Sequence, residues 1–182
     1  VKKIQSGETG PEKGRALNLQ GLAFSRGNIL LSHQVQPTEV AVDPQMIVWG
    51  LILANRVTSI PVSTIPVRDD KRKKDGDAPE KKYIYGVGYQ GGDPRHRIVP
   101  LDQRQRANGD PGKPALVSRP GAAGDLLLLP SGGTNRLVFV DTDEAYLPGT
   151  EPLSRQEALP SIKVGDRPVA VVCAAGSRHA YV

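Results

Sequence analysis

Ile162-Lys163-Val164-Gly165-Asp166-Arg167-Pro168-Val169-Ala170-Val171-Val172-Cys173-Ala174-Ala175-Gly176-Ser177-Arg178-His179-Ala180-Tyr181-Val182 is the stretch on which the fold turns. Two short apolar runs rich in β-branched residues flank a cluster of small residues with one Gly, the pattern of strand, turn, strand. The pattern occurs twice more upstream. Gly21-Leu22-Ala23-Phe24-Ser25 leads through Arg26-Gly27-Asn28 into Ile29-Leu30-Leu31. Pro114-Ala115-Leu116-Val117-Ser118 leads through Arg119-Pro120-Gly121 into Asp125-Leu126-Leu127-Leu128-Leu129. Three hairpins thus start near Gly21, Pro114 and Pro168, unevenly spaced. A hairpin with further outer strands cannot bury both of its faces alone. Stacking such units radially gives a β-propeller; an ordinary sandwich whose hairpins are alike by chance is the alternative.

Composition supports short strands joined by many turns. Gly and Pro together make 36 of the 182 residues, about a fifth, and aromatics only 4%, so a helix bundle and a large aromatic core are both disfavoured. The net charge of +5 is carried by two segments, residues 68–82 with seven basic and five acidic side chains, and residues 95–106 with four and one. Acidic residues interleaved with the lysines cancel the field that phosphate contacts need, so the first segment reads as a solvated, charged insertion and nucleic acid is not an expected partner. Cys173 is the single cysteine, which rules out an intrachain disulfide and a C-x-x-C-H haem attachment within this sequence. No run reaches the roughly 18 apolar residues of a transmembrane helix, and no signal peptide is visible.

Along the chain, residues 1–18 read as a polar tail or the end of a preceding blade, and 19–182 as propeller repeats. Residues 37–55, with Asp43-Pro44 ahead of Ile47, Val48, Leu51 and Ile52, are the one stretch with helical spacing. Residues 56–67 carry Pro61 and Pro66 and read as a strand at a sheet edge. Tyr83 to Tyr89 reads as a short strand, and 95–114 mostly as loop. Strands are expected again around 115–118, 125–129, 136–141, 161–165, 169–174 and 179–182.

The C-terminal stretch resembles the YVTN-type β-propeller repeat, in which a strand ends in V-G-x-x-P, an inner strand follows, and a Gly-containing turn precedes A-Y-V. Here these are Val164-Gly165-Asp166-Arg167-Pro168, Val169 to Val172, Gly176 and Ala180-Tyr181-Val182. The family's S-P-D-G turn is replaced by Cys173-Ala174-Ala175-Gly176, and the Asn that follows Tyr-Val in the family has no counterpart here. His33-Gln34, Trp49-Gly50 with Asn55, and Gly91-Gly92-Asp93-Pro94 resemble a bacterial branch of these propellers. With a blade taking about 40–50 residues, the expectation is an all-β, partial β-propeller: about two blades and the first hairpin of a third, with long polar insertions. Such an arc is expected to be a piece of a longer polypeptide, and to self-associate when isolated.

Reactive constellations are sparse. His33 and Gln34 are expected to close a strand and face the central channel; with Asp93, in its Gly-Gly-Asp-Pro turn, they form the candidate ligand-binding set. His96 reads as solvated and His179 as a structural strand residue. Gly86-Val87-Gly88-Tyr89-Gln90-Gly91 spells G-x-G-x-x-G but opens no helix, so it fails the context of a dinucleotide site. No G-x-S-x-G occurs. Asp141, Asp143 and Glu144 read as a solvated turn, and no metal site or catalytic set is assembled. The resemblance implies a non-enzymatic scaffold or binding domain of an exported bacterial protein, periplasmic or extracellular, meeting a protein or polysaccharide partner. The alternative it implies is the propeller part of a c-type cytochrome or quinoprotein-like electron-transfer protein, with haem c in flanking domains and no cofactor in this chain.

Overall fold

The computed structural model describes residues 14–37, 53–64, 96–103, 108–145, 157–174 and 179–182. Within them the chain forms three antiparallel sheets, met in order along the sequence. The first holds β1 (Gly14–Ser25), β2 (Asn28–Pro37), β3 (Ala54–Pro61) and β4 (Arg97–Pro100); the second β5 (Ala115–Val117), β6 (Leu126–Ser131), β7 (Arg136–Asp141) and β8 (Ser161–Lys163). The third is a hairpin of β9 (Val172–Cys173) and β10 (Ala180–Tyr181). Spatial order follows sequence order in each sheet, so each is a meander. The fold is all-β: two four-stranded propeller blades and the opening hairpin of a third.

Local chemistry places the turns. Ser25 pairs with Asn28, leaving Arg26 and Gly27 as a two-residue loop with φ of 46° and 77°. Two positive φ values define the type I′ turn whose twist matches the strands, and Gly27 accepts that conformation without a Cβ penalty. Register shifts between Leu17 and Gly21, where Asn18 has φ 45°, a bulge that Asn tolerates better than a branched residue.

The Leu126-Leu127-Leu128-Leu129 run is apolar throughout because the second sheet is covered on both faces. Leu127 and Leu129 point with Val138 and Val140 toward the first sheet, meeting Ala23, Leu30, Val57, Val99 and Leu101. Leu128 and Leu137 point the other way, onto Val171 ahead of β9. Burying one such Leu side chain is worth about 1.5–3 kcal/mol. The first strands of neighbouring sheets lie side by side: Lys113 forms a parallel bridge with Ala170, and Gly21 packs against Lys113 and Pro114.

Several sequence expectations need correction. β1 begins at Gly14, ahead of the apolar texture at Leu19, because Arg15, Ala16 and Leu17 find partners in Gln36, Val35 and Gln34. The strand from residue 54 is not at an edge: it pairs with β2 on one side and β4 on the other. Pro61 is tolerated because β4 reaches only Arg56 to Ser59, so no partner needs its missing N–H there. Arg97–Pro100 is strand, not loop; the basic surroundings mask Ile98 and Val99, which face opposite sides of the sheet and are both buried. Most of 37–55, the strand expected at 83–89, the charged insertion at 68–82 and Asp93 lie outside the described residues; of 37–55, Pro37 ends β2 and Ala54-Asn55 start β3.

Candidate functional site

One polar row crosses the first sheet from its inner edge to its rim. Asn18, exposed in the β1 bulge, donates from Nδ2 to Gln34 Oε1 at 2.7 Å. Gln34 Nε2 donates to Asn55 Oδ1 at 3.0 Å. Asn55 then gives both its backbone N–H and its side-chain amide to the Asp102 carboxylate, at 2.7 and 2.9 Å. The backbone N–H of Asn108 donates to the same carboxylate at 2.8 Å, and Asn108 Nδ2 donates to the Leu101 carbonyl. Asp102 is 1% exposed. Burial pushes its carboxyl up, against the opposing pull of the Asn55 and Asn108 hydrogen bonds and the Arg56 charge. The row fixes the loop after β4 against β2 and β3. Asp102→Asn is expected to cost about 2 kcal/mol, since an amide nitrogen would face donors that now meet an acceptor; a urea midpoint unchanged from the wild type would contradict this role.

His33 lies mid-strand in β2, not at a strand end, and is 2% exposed. Its Nε2 sits 2.7 Å from Thr58 Oγ1 and its Nδ1 3.3 Å from the Gln34 carbonyl oxygen. β2 is the second strand of its sheet, so this side chain is in the interior and does not line the inner edge. Burial lowers its pKa to about 4, with the Arg56 charge acting the same way and the Gln34 contact opposing. His33 is therefore neutral at pH 7. Gln34, 8% exposed, reaches the inner edge only through Asn18. Of the remaining histidines, His96 is half-buried just before β4 and His179 is exposed before β10.

The groups that do face outward along the first strands are ones the sequence reading did not single out. Gln20 and Asp110 are exposed, and Gln20 Nε2 lies 3.5 Å from Asp110 Oδ1, bridging the first and second sheets. Exposed Lys113 follows, its backbone tied to Val169 and Val171 of the third unit. A hydrogen-bonding strip of Asn18, Gln20, Asp110 and Lys113 thus runs along the inner edge on a backbone held by three sheets. Only the stacking of first strands brings these residues together; their spacing in sequence carries no signal.

A second network holds the opposite end of the blades. Asp125, 3% exposed, accepts from Ser25 Oγ at 2.6 Å and from Arg26 Nε and Nη2 at 3.2 and 3.0 Å. Arg26 also donates to the Ala122 and Ala123 carbonyls, both at 2.8 Å. These bonds, led by Ser25 and Arg26, hold the Asp125 carboxyl down at about 2. Arg119 donates to Asp141 at 2.6 Å, which lowers the Asp141 carboxyl despite the opposing effect of burial. Asp141 also accepts from the Asp143 backbone N–H, so this acidic group closes a turn. Among the described residues no group of three or more His, Cys, Asp and Glu is placed to hold a metal ion.

Acid should loosen the molecule in two windows. His33 has a folded pKa depressed from 6.5 to about 4, so the unfolded chain binds the extra proton and stability is lost as pH falls through that range. Asp125, depressed from 3.8 to about 2, contributes stability that is present above 3.8 and lost on further acidification. Each proton changes stability by about 1.4 kcal/mol per pH unit at most. His33→Gln is expected to flatten the upper part of a Tm-against-pH curve, and Asp125→Asn the lower; an unchanged slope in either variant would contradict the assignment.

The fold and these two networks define a propeller-type all-β chain of three stacked units, the first two stapled through Asp125 and the third joined to the second by backbone bonds at Lys113. Among solved structures, the chain is similar to the hydrazine synthase of Kuenenia stuttgartiensis, with a TM-score of 0.52 and 17% identity over 86% of this chain. It spans 39% of that chain. At that identity the likeness speaks for the fold alone. No family model matches, the YVTN-type repeat included, and no curated protein matches.

Proposed function

We propose that this chain is a non-enzymatic binding scaffold, an arc of a β-propeller within a longer exported bacterial protein, whose inner edge meets a protein or polysaccharide partner. The observation that carries the reading is the strip of Asn18, Gln20, Asp110 and Lys113. It gathers exposed donors and acceptors on β1 and on the segment leading into β5, which are locked by the Lys113–Ala170 bridge and the packing of Gly21 on Pro114. Rigid strands carrying polar side chains suit recognition, because little ordering entropy is lost on binding. Of the ligand-binding set suggested by the sequence, Gln34 enters this reading by holding Asn18; His33 is buried against Thr58, and Asp93 lies outside the described residues. Immobilised parent protein is to be screened against arrays of bacterial polysaccharides and of peptides. The expected result is a binder whose affinity falls at least about tenfold in Asp110→Asn, a change of about 1.4 kcal/mol, with Tm unchanged because Asn tolerates the φ of 58° at this position. Binding that ignores Gln20 and Asp110 substitutions would overturn the assignment.

A second reading makes the arc the structural part of a larger electron-transfer protein with haem c in its flanking domains, and the fold likeness to a hydrazine synthase chain is compatible with it. A Soret band in the intact parent protein supports it; a colourless parent supports the scaffold.

A further inference from the structure

A side-chain amide donates from one end and accepts at the other, so a row of amides has a direction. In the first sheet that direction is set from inside. Asp102 receives the backbone N–H of Asn55 on its Oδ2 and that of Asn108 on its Oδ1. A backbone N–H can only donate, so the carboxyl serves as an acceptor at both oxygens. Asn55 must then turn its Nδ2 to Asp102, which leaves its Oδ1 for Gln34. Gln34 answers with Nε2, and its Oε1 is left for β1. Asn18 answers with Nδ2 in turn, and its Oδ1 is the end left without a place in the row. Reversing any one amide would set oxygen against oxygen and nitrogen against nitrogen. Gln34, Asn55 and Asp102 are all buried, so such a mismatch costs the full desolvation of the groups left unpaired.

We infer that Asp102 is a positioning residue for the inner edge: acting through Asn55 and Gln34, it commits the Asn18 side-chain oxygen to the rim, where with the Asp110 carboxylate it selects a neutral, hydroxyl-rich ligand, a segment of polysaccharide. The inference rests on the reading of the inner edge as a binding surface, and names the ligand class of that surface. Asn18 and Asp110 are both exposed. Gln20 turns its Nε2 to Asp110, so its Oε1 joins them as a third acceptor. A line of oxygens calls for donors, and sugar hydroxyls supply them without adding charge. Lys113 balances Asp110 along the strip, so a charged peptide meets no net field there. Leu19, between Asn18 and Gln20 in the bulge and 68% exposed, offers an apolar contact to the C–H face of a sugar ring.

The relay is tested by a double-mutant cycle on Asn18→Asp and Asp102→Asn, read as urea unfolding constants of the intact protein. Asp tolerates the φ of 45° at position 18, so backbone strain does not enter. A carboxylate there faces Gln34 Oε1, and Gln34 cannot turn while Asp102 holds Asn55. Asn18→Asp should therefore raise the unfolding constant about tenfold. With Asp102→Asn the row is free to reverse, and the same substitution should cost less than about threefold. Positions 18 and 102 are linked only through Gln34 and Asn55 in the row, so equal costs in the two backgrounds overturn the inference. A second readout needs no variant: nuclear Overhauser contacts of the Gln34 Nε2 protons should run to Asn55 and not to Asn18, and the opposite pattern overturns it too. The ligand class is read on an array of neutral oligosaccharides printed beside O-methylated and deoxyfluoro copies. Both modifications remove the donor, and only the first adds bulk. Expected is binding that falls at least about tenfold with either. Deoxyfluoro sugars bound as well as the native ones overturn the assignment. Binding confined to peptides overturns it and leaves the scaffold reading standing; an array empty of sugars and peptides alike overturns both.

Discussion

Leu127→Ala is expected to lower the unfolding free energy by about 3–4 kcal/mol, enough to bring a marginally stable chain close to its folding limit. Leu127 is 0% exposed and sits in a cluster that joins the first sheet to the second, with Leu30, Val57 and Val99 on one side and Leu129, Val138 and Val140 on the other. Truncation loses the transfer energy of the removed carbons and leaves a void that the strands of two paired sheets cannot collapse to fill. Loss should therefore appear in both sheets together, as one shifted urea transition and faster exchange in β2 and β6 alike. Phe24→Ala is the internal contrast. Phe24 is larger but 65% exposed, on the face of β1 turned away from the second sheet, and its removal should cost less than about 1 kcal/mol. If the two variants shifted the midpoint equally, the shared core would not be where the stability resides.

That contrast also explains how much could be read from residues alone. Leu126 to Leu129 spell an unbroken apolar run because both faces of the second sheet are covered, whereas in β1 Ala23 is buried and its neighbours Leu22 and Phe24 are exposed. The hairpins at Gly21, Pro114 and Pro168 were legible because a period of two, a Gly turn and β-branched residues are local signals. Arg97–Pro100 was not, because charge dominates its surroundings and only the pairing of Arg56, Val57, Thr58 and Ser59 with it makes it a strand. The site was least legible. Gln20 and Asp110 are 90 residues apart and Ser25 and Asp125 are 100 apart; no spacing rule links them, and only the stacking of blades does. His33 and Gln34 are neighbours in sequence, yet the alternation of a strand puts the two on opposite faces, one against Thr58 and the other toward Asn18.

The junction between the second and third units depends on an absent side chain, and Gly112→Ala should break it at a cost of about 3 kcal/mol, the upper end of the overpacking range. A Cβ on Gly112 would overlap the Val169 carbonyl oxygen and stand 2.8 Å from its carbonyl carbon and 3.0 Å from Pro130 Cγ. The obstacle is backbone, so no rotamer change relieves it. Val169 must retreat, and with it go the hydrogen bonds from the Lys113 N–H to the Val169 oxygen, 2.8 Å, and from the Val171 N–H to the Lys113 oxygen, 3.2 Å. Those two bonds are the parallel seam that holds the β9–β10 hairpin beside β5, and Val171 is the side chain that covers Leu128 and Leu137. The damage should stay local: amides of Val171 to Cys173 exchange faster, the exposure of Leu128 and Leu137 rises, and β2 and β3 keep their protection. Gly165→Ala provides the control, since nothing lies within 4 Å of a Cβ there and replacing a Gly in an allowed conformation costs little or stabilises slightly. A Gly112→Ala protein with an unchanged urea midpoint and unchanged exchange at Val171 would mean that the third unit is held by its apolar contacts alone, and that the close approach of the first strands contributes nothing to the ring.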